Sequence, residues 1–108
     1  MRTLSFIVDG QSLKPDPECD FSGIVPGTEK YLKAQFKFSH DWDDCVKVAA
    51  FWSRFGKEYP AQVLSDGSSC VIPSEALKSK YFKIRVIGKR KDGFRIKTNK
   101  IEICQDGG

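Results

Sequence analysis

The sequence lacks most of the features by which catalytic, membrane or secreted proteins are recognised. It has 108 residues with a single histidine and a single methionine. No apolar run approaches the roughly 18 residues that a membrane-spanning helix needs, and Asp9 interrupts the short apolar stretch at the N-terminus, so no secretory signal is expected. Neither a P-loop nor a GxGxxG glycine motif occurs. We therefore predict no enzymatic activity, no cofactor and no membrane insertion.

The cysteines lack the close pairing that is typical of zinc sites. They stand 25 or more residues apart and His40 is the only histidine, so we predict no bound metal. A disulfide framework needs an oxidising compartment, and no signal sequence points to one. We expect the four cysteines to behave as small, buried hydrophobic side chains in a reducing cytosol. The sequence leaves open whether any of them form disulfide bonds. The cysteines are Cys19, Cys45, Cys70 and Cys104.

Three aspartates, Asp41, Asp43 and Asp44, surround Trp42. On a strand, Asp43 and Asp44 would point to opposite faces, so they do not form an acid–base pair. The order DWDD also lacks the regular ligand spacing and the glycine of a calcium loop. We expect neither catalysis nor metal binding at this cluster.

The composition is that of a folded domain. Hydrophobic residues make up 40% and aromatic residues 12% of the chain, which supports a packed core and excludes a disordered chain. The length fits one small domain, and no linker divides it. We expect a single domain spanning residues 1–108.

Alternation with a period of two residues dominates the sequence. It is clearest in residues 32–38, where apolar side chains alternate with Lys33, Gln35 and Lys37, and it predicts strands with one buried face. Turns recur every 8 to 12 residues, and Pro60 favours a sheet edge. We predict an all-β fold, an antiparallel β-sandwich of immunoglobulin-like architecture with about 7–8 short strands and at most one helical turn near residues 73–78. A small open barrel is the alternative.

For several residues, the alternation alone does not decide whether the side chain faces the core or the solvent. From Ala49 onward both parities of the strand at residues 45–52 are apolar, which indicates either a strand covered on both faces or a β-bulge. Trp42 is predicted to be a core residue, as is usual for tryptophan in a sandwich. Trp52 is the more exposed of the two, and Phe94 has the inward parity.

Positive charge is concentrated near the C-terminus. Residues 78–108 hold 10 Lys and Arg against 3 acidic residues, whereas residues 1–77 hold 8 against 11. The alternation places this charge on the solvent face of one hairpin, which indicates an acidic partner or the protection of a sheet edge. Nucleic acid is not the expected partner, because few aromatic rings accompany the charge. The candidate interaction surface comprises Lys83, Arg85, Lys89, Arg90, Lys91, Arg95, Lys97 and Trp52.

Segments along nearly the whole chain resemble the small N-terminal domain of tail and baseplate proteins of phages and prophages of Gram-positive bacteria. The most specific are the strand that ends in FS before Trp42, the IPSEAL segment at residues 72–77, and Thr98-Asn99. The matching segments are VDGQ (8–11), VPGT (25–28), YLKAQFKFSHDWDD (31–44), KVAAFW (47–52), CVIPSEAL (70–77), FKIRVIGKR (82–90) and RIKTNKIEI (95–103).

The resemblance implies a β-sandwich in a virion structural protein, made in the bacterial host cytoplasm and without catalytic residues. Its expected partners are other phage structural proteins or copies of itself, as a homo-oligomer in the particle. The related modules often precede a longer fibre, so two alternatives stay open: a stand-alone tail, neck or capsid accessory subunit, or one domain of a longer protein. A different hypothesis is a small phage-encoded effector that binds a host protein or nucleic acid through the basic hairpin.

Overall fold

The computed structural model describes residues 1–105 and contains nine strands in two sheets. The first sheet has four strands in the order β2-β1-β3-β6, and the second has five, in the order β5-β4-β7-β8 with β9 also paired to β7. The strands are β1 (Arg2–Asp9), β2 (Ser12–Pro15), β3 (Leu32–Phe38), β4 (Val46–Ser53), β5 (Glu58–Val63), β6 (Ser69–Val71), β7 (Tyr81–Lys89), β8 (Arg95–Lys97) and β9 (Ile101–Cys104). Two 3-10 turns, His40–Trp42 and Ala76–Lys78, connect strands of different sheets.

Alternating apolar side chains from both sheets build a single core. In β3 the buried residues are Leu32, Ala34 and Phe36, while the intervening polar side chains face away from the core. Aromatic rings continue this layer: Phe36 lies 5.3 Å from Phe6 and 5.9 Å from Phe38 between ring centroids. The largest fully buried apolar side chains are Trp42, Phe6, Phe51, Phe82, Leu4, Leu13, Ile24, Leu32, Ile72, Leu77 and Ile84.

Trp42 holds the connection between β3 and β4 in place. Its ring is completely buried, and its indole Nε1 donates a hydrogen bond of 2.8 Å to the carbonyl of Gly10 in the β1–β2 turn. The ring also lies directly against Gly88 in β7, where a Cβ atom would stand 2.8 Å from two ring carbons. A glycine is therefore required at this position by a close approach of the tryptophan.

Thr98 and Asn99 join the two sheets on one side of the sandwich. Thr98 pairs with Val86 through its backbone N–H, and its hydroxyl accepts the N–H of Val86 at 3.1 Å. The Asn99 side chain then accepts the N–H of Leu13 at 2.8 Å and donates to the carbonyl of Leu13 at 3.3 Å. The amide of Asn99 thus pairs with β2 of the first sheet much as a neighbouring strand would.

The structure confirms the predicted β-sandwich, with nine strands where seven or eight are predicted. Pro60 lies in β5, which is an edge strand of the second sheet as expected. Of the two alternatives for the strand around Ala49, the structure shows the β-bulge, as a register shift between Ala49 and Phe51. The predicted helical turn is Ala76–Lys78, and a second 3-10 turn at His40–Trp42 was not predicted.

One strand pair departs from the antiparallel expectation, because β1 and β3 run parallel. The chain reverses at Gly10 into β2 and then returns through residues 16–31, so β3 enters the sheet in the direction of β1. A loop of that length spans the sheet without a helix.

Candidate interaction surface on the second sheet

The outer face of the second sheet carries rows of side chains that follow the strand register. In antiparallel strands, residues that are directly opposite share a face, and this places Trp52 of β4 beside Lys83 of β7. The residues on this face are Val46, Val48, Ala50 and Trp52 of β4, Lys83, Arg85, Ile87 and Lys89 of β7, Val63 and Glu58 of β5, Arg95 and Lys97 of β8, and Glu102 of β9.

Aliphatic side chains form an open groove at the Lys89 end of this face. Val63, Val48 and Ile87 lie opposite one another across β5, β4 and β7, and Val46 is 64% exposed and Val63 60% exposed. The groove has a volume of about 410 Å³ and is lined by Val46, Val48, Ile87, Lys89, Arg90 and Lys91.

A basic rim, defined here as Lys89, Arg95 and Lys97, borders the groove on the side of β8. Lys97 lies opposite Ile87, and Arg95 lies opposite Lys89, so the three side chains extend the rows that contain the aliphatic residues. Among residues 1–105, no carboxylate is within ion-pair distance of any of these three. The three cations of the rim therefore form no ion pair with the described part of the chain.

The other end of the outer face, around Trp52, contains carboxylates as well as cations. Trp52 is half-buried, with the Nζ of Lys100 4.1 Å from its ring centroid and the guanidinium of Arg85 at 6.0 Å. Glu58 and Glu102 stand in the same row. Glu102 also accepts a hydrogen bond of 2.9 Å from Arg54, and this pairing raises the pKa of the Arg54 guanidinium.

Arg90 differs from the other predicted surface residues because its guanidinium is engaged within the protein. It donates to the backbone carbonyls of Asp43 at 3.1 Å and Asp41 at 3.2 Å. It also lies 4.0 Å from the centroid of the Phe94 ring. Arg90 therefore fixes the hairpin turn against the loop at residues 41–44, and Lys91 beside it stays exposed.

The prediction for Phe94 was wrong, since its side chain is 37% exposed. The β7–β8 turn extends through Phe94, so the alternation resumes only at Arg95. The interpretations of the two tryptophans are confirmed, with Trp42 buried and Trp52 half-exposed. Of the surface residues proposed from the sequence, the structure brings Lys83, Arg85, Lys89, Arg95, Lys97 and Trp52 onto one face.

Sequence reasoning missed the aliphatic part of this face: Val46, Val48, Val63 and Ile87. The sequence did indicate them, because apolar residues occupy both odd and even positions in the segments CVKVAAFW and IRVI. Such strands are apolar on the core side and again on the outer side. The basic residues were found because charge clusters are visible without knowing which strands are neighbours.

The cysteines do not form a site. All four are free thiols, and burial raises the pKa of the Cys70 thiol to about 12, so this group stays protonated and unreactive. The expectation of burial holds for Cys70 but is wrong for Cys104, whose side chain in β9 points outward and is exposed. Cys19 and Cys45 are partly buried. Within residues 1–105, no group of three or more His, Cys, Asp or Glu side chains is arranged to hold a metal ion.

Comparison with known proteins finds no relative of this chain. No family model, no curated protein and no solved structure matches the chain. In residues 1–105, no helix has the length and apolar character needed to cross a lipid bilayer. The arrangement of side chains on the outer face is thus the main guide to function, together with the sequence resemblance.

Proposed function

We propose that this chain is a non-enzymatic structural protein of a phage or prophage particle, in its tail, baseplate or head. It acts through protein–protein contacts made by the outer face of the second sheet. It is made in the bacterial host cytoplasm and is incorporated into the virion, beside other structural proteins or copies of itself. The resemblance of nearly the whole sequence to tail and baseplate modules supports this assignment.

The observation that carries the proposal is the exposed aliphatic groove with its basic rim. Exposed apolar side chains that cluster, rather than scatter singly, mark interaction sites on folded proteins. Val46 and Val63 are each more than half exposed, and Val48 and Ile87 join them into one patch. An apolar centre surrounded by polar and charged side chains is the usual composition of a protein–protein interface.

Mass spectrometry of purified particles from the source strain tests the proposal. We expect the chain in the particles, and we expect less of it when Val46→Glu and Ile87→Glu place charge in the groove. Ser5→Glu and Gln35→Glu, two equivalent changes on the outer face of the first sheet, serve as the matched control and should leave incorporation unchanged. Absence of the wild-type chain from particles would overturn the assignment.

The unpaired cations favour a second candidate function, an effector that binds a host protein or nucleic acid. Lys89, Lys91 and Lys97 are available for such contacts, whereas Arg90 is not, because it holds the turn to residues 41–44. Replacing the three lysines by Glu while keeping Arg90 separates binding from folding. Loss of a salt-sensitive interaction with nucleic acid or with a host protein would favour the effector.

A further inference from the structure

We propose that the groove is the docking site for a segment of another protein that presents an aliphatic side chain flanked by carboxylates. This inference rests on the proposed function, since it requires that the outer face of the second sheet makes protein contacts. It goes further by assigning the chemistry of the partner and the end of the face to which that partner binds.

The apolar part of the recognition comes from the groove floor. Val46, Val48 and Ile87 leave aliphatic surface open to solvent, and Val63 continues it across β5. The stems of Lys89 and of its neighbours in the turn line the same groove. Lysine stems cover apolar surface while their charged ends stay in water, so the ammonium groups surround a side chain that enters the groove.

The charge of the partner follows from what each end of the face contains. At the Trp52 end, Glu58 and Glu102 offset part of the charge of the cations, and Glu102 already pairs with Arg54. At the groove end, the basic rim forms no ion pair with the described residues, although Asp92 lies in the adjoining turn. Charged groups across an interface are arranged so that their potentials are complementary, so the partner contributes carboxylates at the side of β8.

A second copy centred on the same groove does not fit this arrangement. A two-fold axis through the groove would bring the basic rim of one copy toward that of the other, because residues on such an axis meet their own copies. Like charges at an interface disfavour that contact. A two-fold pair centred on the groove is therefore disfavoured.

Nucleic acid is also a poorer occupant, because a cation of this chain already lies over three aromatic rings of this sheet and its turns. Lys100 lies over Trp52, Arg90 over Phe94 and Arg54 over Tyr81, the last at 3.6 Å from the ring centroid. Binding of single strands depends on free rings for base stacking. What the groove leaves open is aliphatic surface, which accommodates apolar side chains of a protein.

The groove is also held in shape before binding. Arg90, at its border, bonds to two carbonyls of the loop at residues 41–44, and β4 pairs with β7 along its whole length. A surface that needs little ordering on association loses less entropy. Peptide probes should therefore detect the site on the isolated chain.

The test is titration of the ¹⁵N-labelled chain with short peptides at low salt, followed by NMR amide shifts. The first peptide alternates Glu with Val or Leu, the second replaces its Glu by Lys, and the third replaces its aliphatic residues by Ser. A thymidine oligonucleotide is the fourth probe. We expect the acidic aliphatic peptide alone to bind at concentrations of about 1 mM or below, with shifts centred on Val46, Val48, Ile87 and Lys97.

Two double variants then separate the apolar and the charged contributions. Val46→Ser with Ile87→Ser should weaken the acidic aliphatic peptide by about tenfold or more, because the buried apolar area is lost. Lys89→Ala with Lys97→Ala should weaken it by about three- to tenfold and reduce its salt dependence. Lys14→Ala with Lys33→Ala removes two lysines from the outer face of the first sheet and should leave the affinity unchanged.

Equal or tighter binding of the serine peptide or of the oligonucleotide would overturn the proposal, as would shifts centred outside the groove or no binding of the acidic aliphatic peptide. The result is distinguishable from failure of the proposed function. If the chain is found in particles but does not bind the peptide, the structural role stands and the proposed partner is wrong. If the chain binds the peptide but is absent from particles, the docking site stands and the proposed structural role is wrong.

Discussion

The outer faces of the two sheets follow the same alternation but differ in chemistry. On the first sheet the positions between buried residues hold Thr3, Ser5, Gln35 and Lys37 beside two apolar residues, Ile7 and Val71. Lys37 forms an ion pair of 3.1 Å with the buried Asp16. On the second sheet the corresponding positions include valines, an isoleucine and a tryptophan. Both outer faces therefore carry some apolar surface, and the larger share on the second sheet is what the proposed function assigns to contacts beyond the chain.

The largest expected effect compares the contribution to folding stability of a core tryptophan with that of a tryptophan on the second outer face. Trp42→Ala removes a fully buried ring and its hydrogen bond to Gly10, which should cost about 3–5 kcal/mol of the free energy of unfolding. Trp52→Ala removes a ring from the outer face and should cost about 1 kcal/mol or less. Urea denaturation of both variants gives the comparison. Similar losses would show that Trp52 belongs to the core.

A smaller effect is expected where the two sheets are joined. Asn99→Ala removes both hydrogen bonds between its amide and the backbone of Leu13, and this should cost about 1–2 kcal/mol of the free energy of unfolding. Asn99→Asp is the matched control, because its carboxylate still accepts the N–H of Leu13 but cannot donate to the carbonyl. A loss at least as large as that of Asn99→Ala is expected for Asn99→Asp, because its second carboxylate oxygen would face the Leu13 carbonyl oxygen. No loss in Asn99→Ala would mean that the sheets are aligned without the Asn99 side chain, by packing and by the remaining hydrogen bonds of Gln11.

Much of this architecture was predictable from local sequence patterns. Residues 32–38 reveal their buried face because each core residue is followed by a polar one, and Pro60 marks an edge because it lacks a backbone donor. The parallel pairing of β1 and β3 was not predictable. A period of two says which face a residue occupies and nothing about which strand lies beside it.

The candidate site was predictable in its charges and not in its apolar part. Lys83, Lys89 and Lys97 form a cluster that is evident in the sequence, whereas Val48 and Ile87 have the same composition as core residues. Only the register of β4 against β7 separates their outer position from the inner one. The role of Arg90 was equally hidden, since the carbonyls that it contacts lie 47 and 49 residues away in sequence.

A third prediction concerns Asp66, in the turn where the chain passes from β5 of the second sheet to β6 of the first. Its carboxylate accepts the Ser69 hydroxyl and the N–H groups of Ser68 and Ser69. These bonds, that of the Ser69 hydroxyl first, lower the pKa of Asp66 from 3.8 to about 2. The folded state therefore gains stability from this group above about pH 4 and loses it as the pH falls toward 2.

Asp66→Asn should lower the free energy of unfolding at pH 7 and flatten its decline between about pH 4 and pH 2. Urea denaturation at a series of pH values measures this, with Glu29→Gln, at an exposed position, as the control. Some decline persists in the variant, because hydrogen bonds to the Glu18 N–H and to Lys37 also lower the pKa of Asp16. An unchanged pH profile would show that the turn does not depend on this carboxylate.

The smallest expected effect tests most directly whether the apolar residues on the second outer face contribute to the stability of the fold. Val46→Thr together with Val63→Thr keeps the shape of two exposed side chains and replaces apolar by polar atoms. If these valines serve contacts and not folding, the free energy of unfolding should change by no more than about 0.5 kcal/mol. The same exchange inside the sandwich, Val8→Thr, buries a hydroxyl and should cost about 1–3 kcal/mol. A loss of that size at the outer positions would mean that the second face stabilises the fold, and the contrast with the first face would no longer indicate a partner.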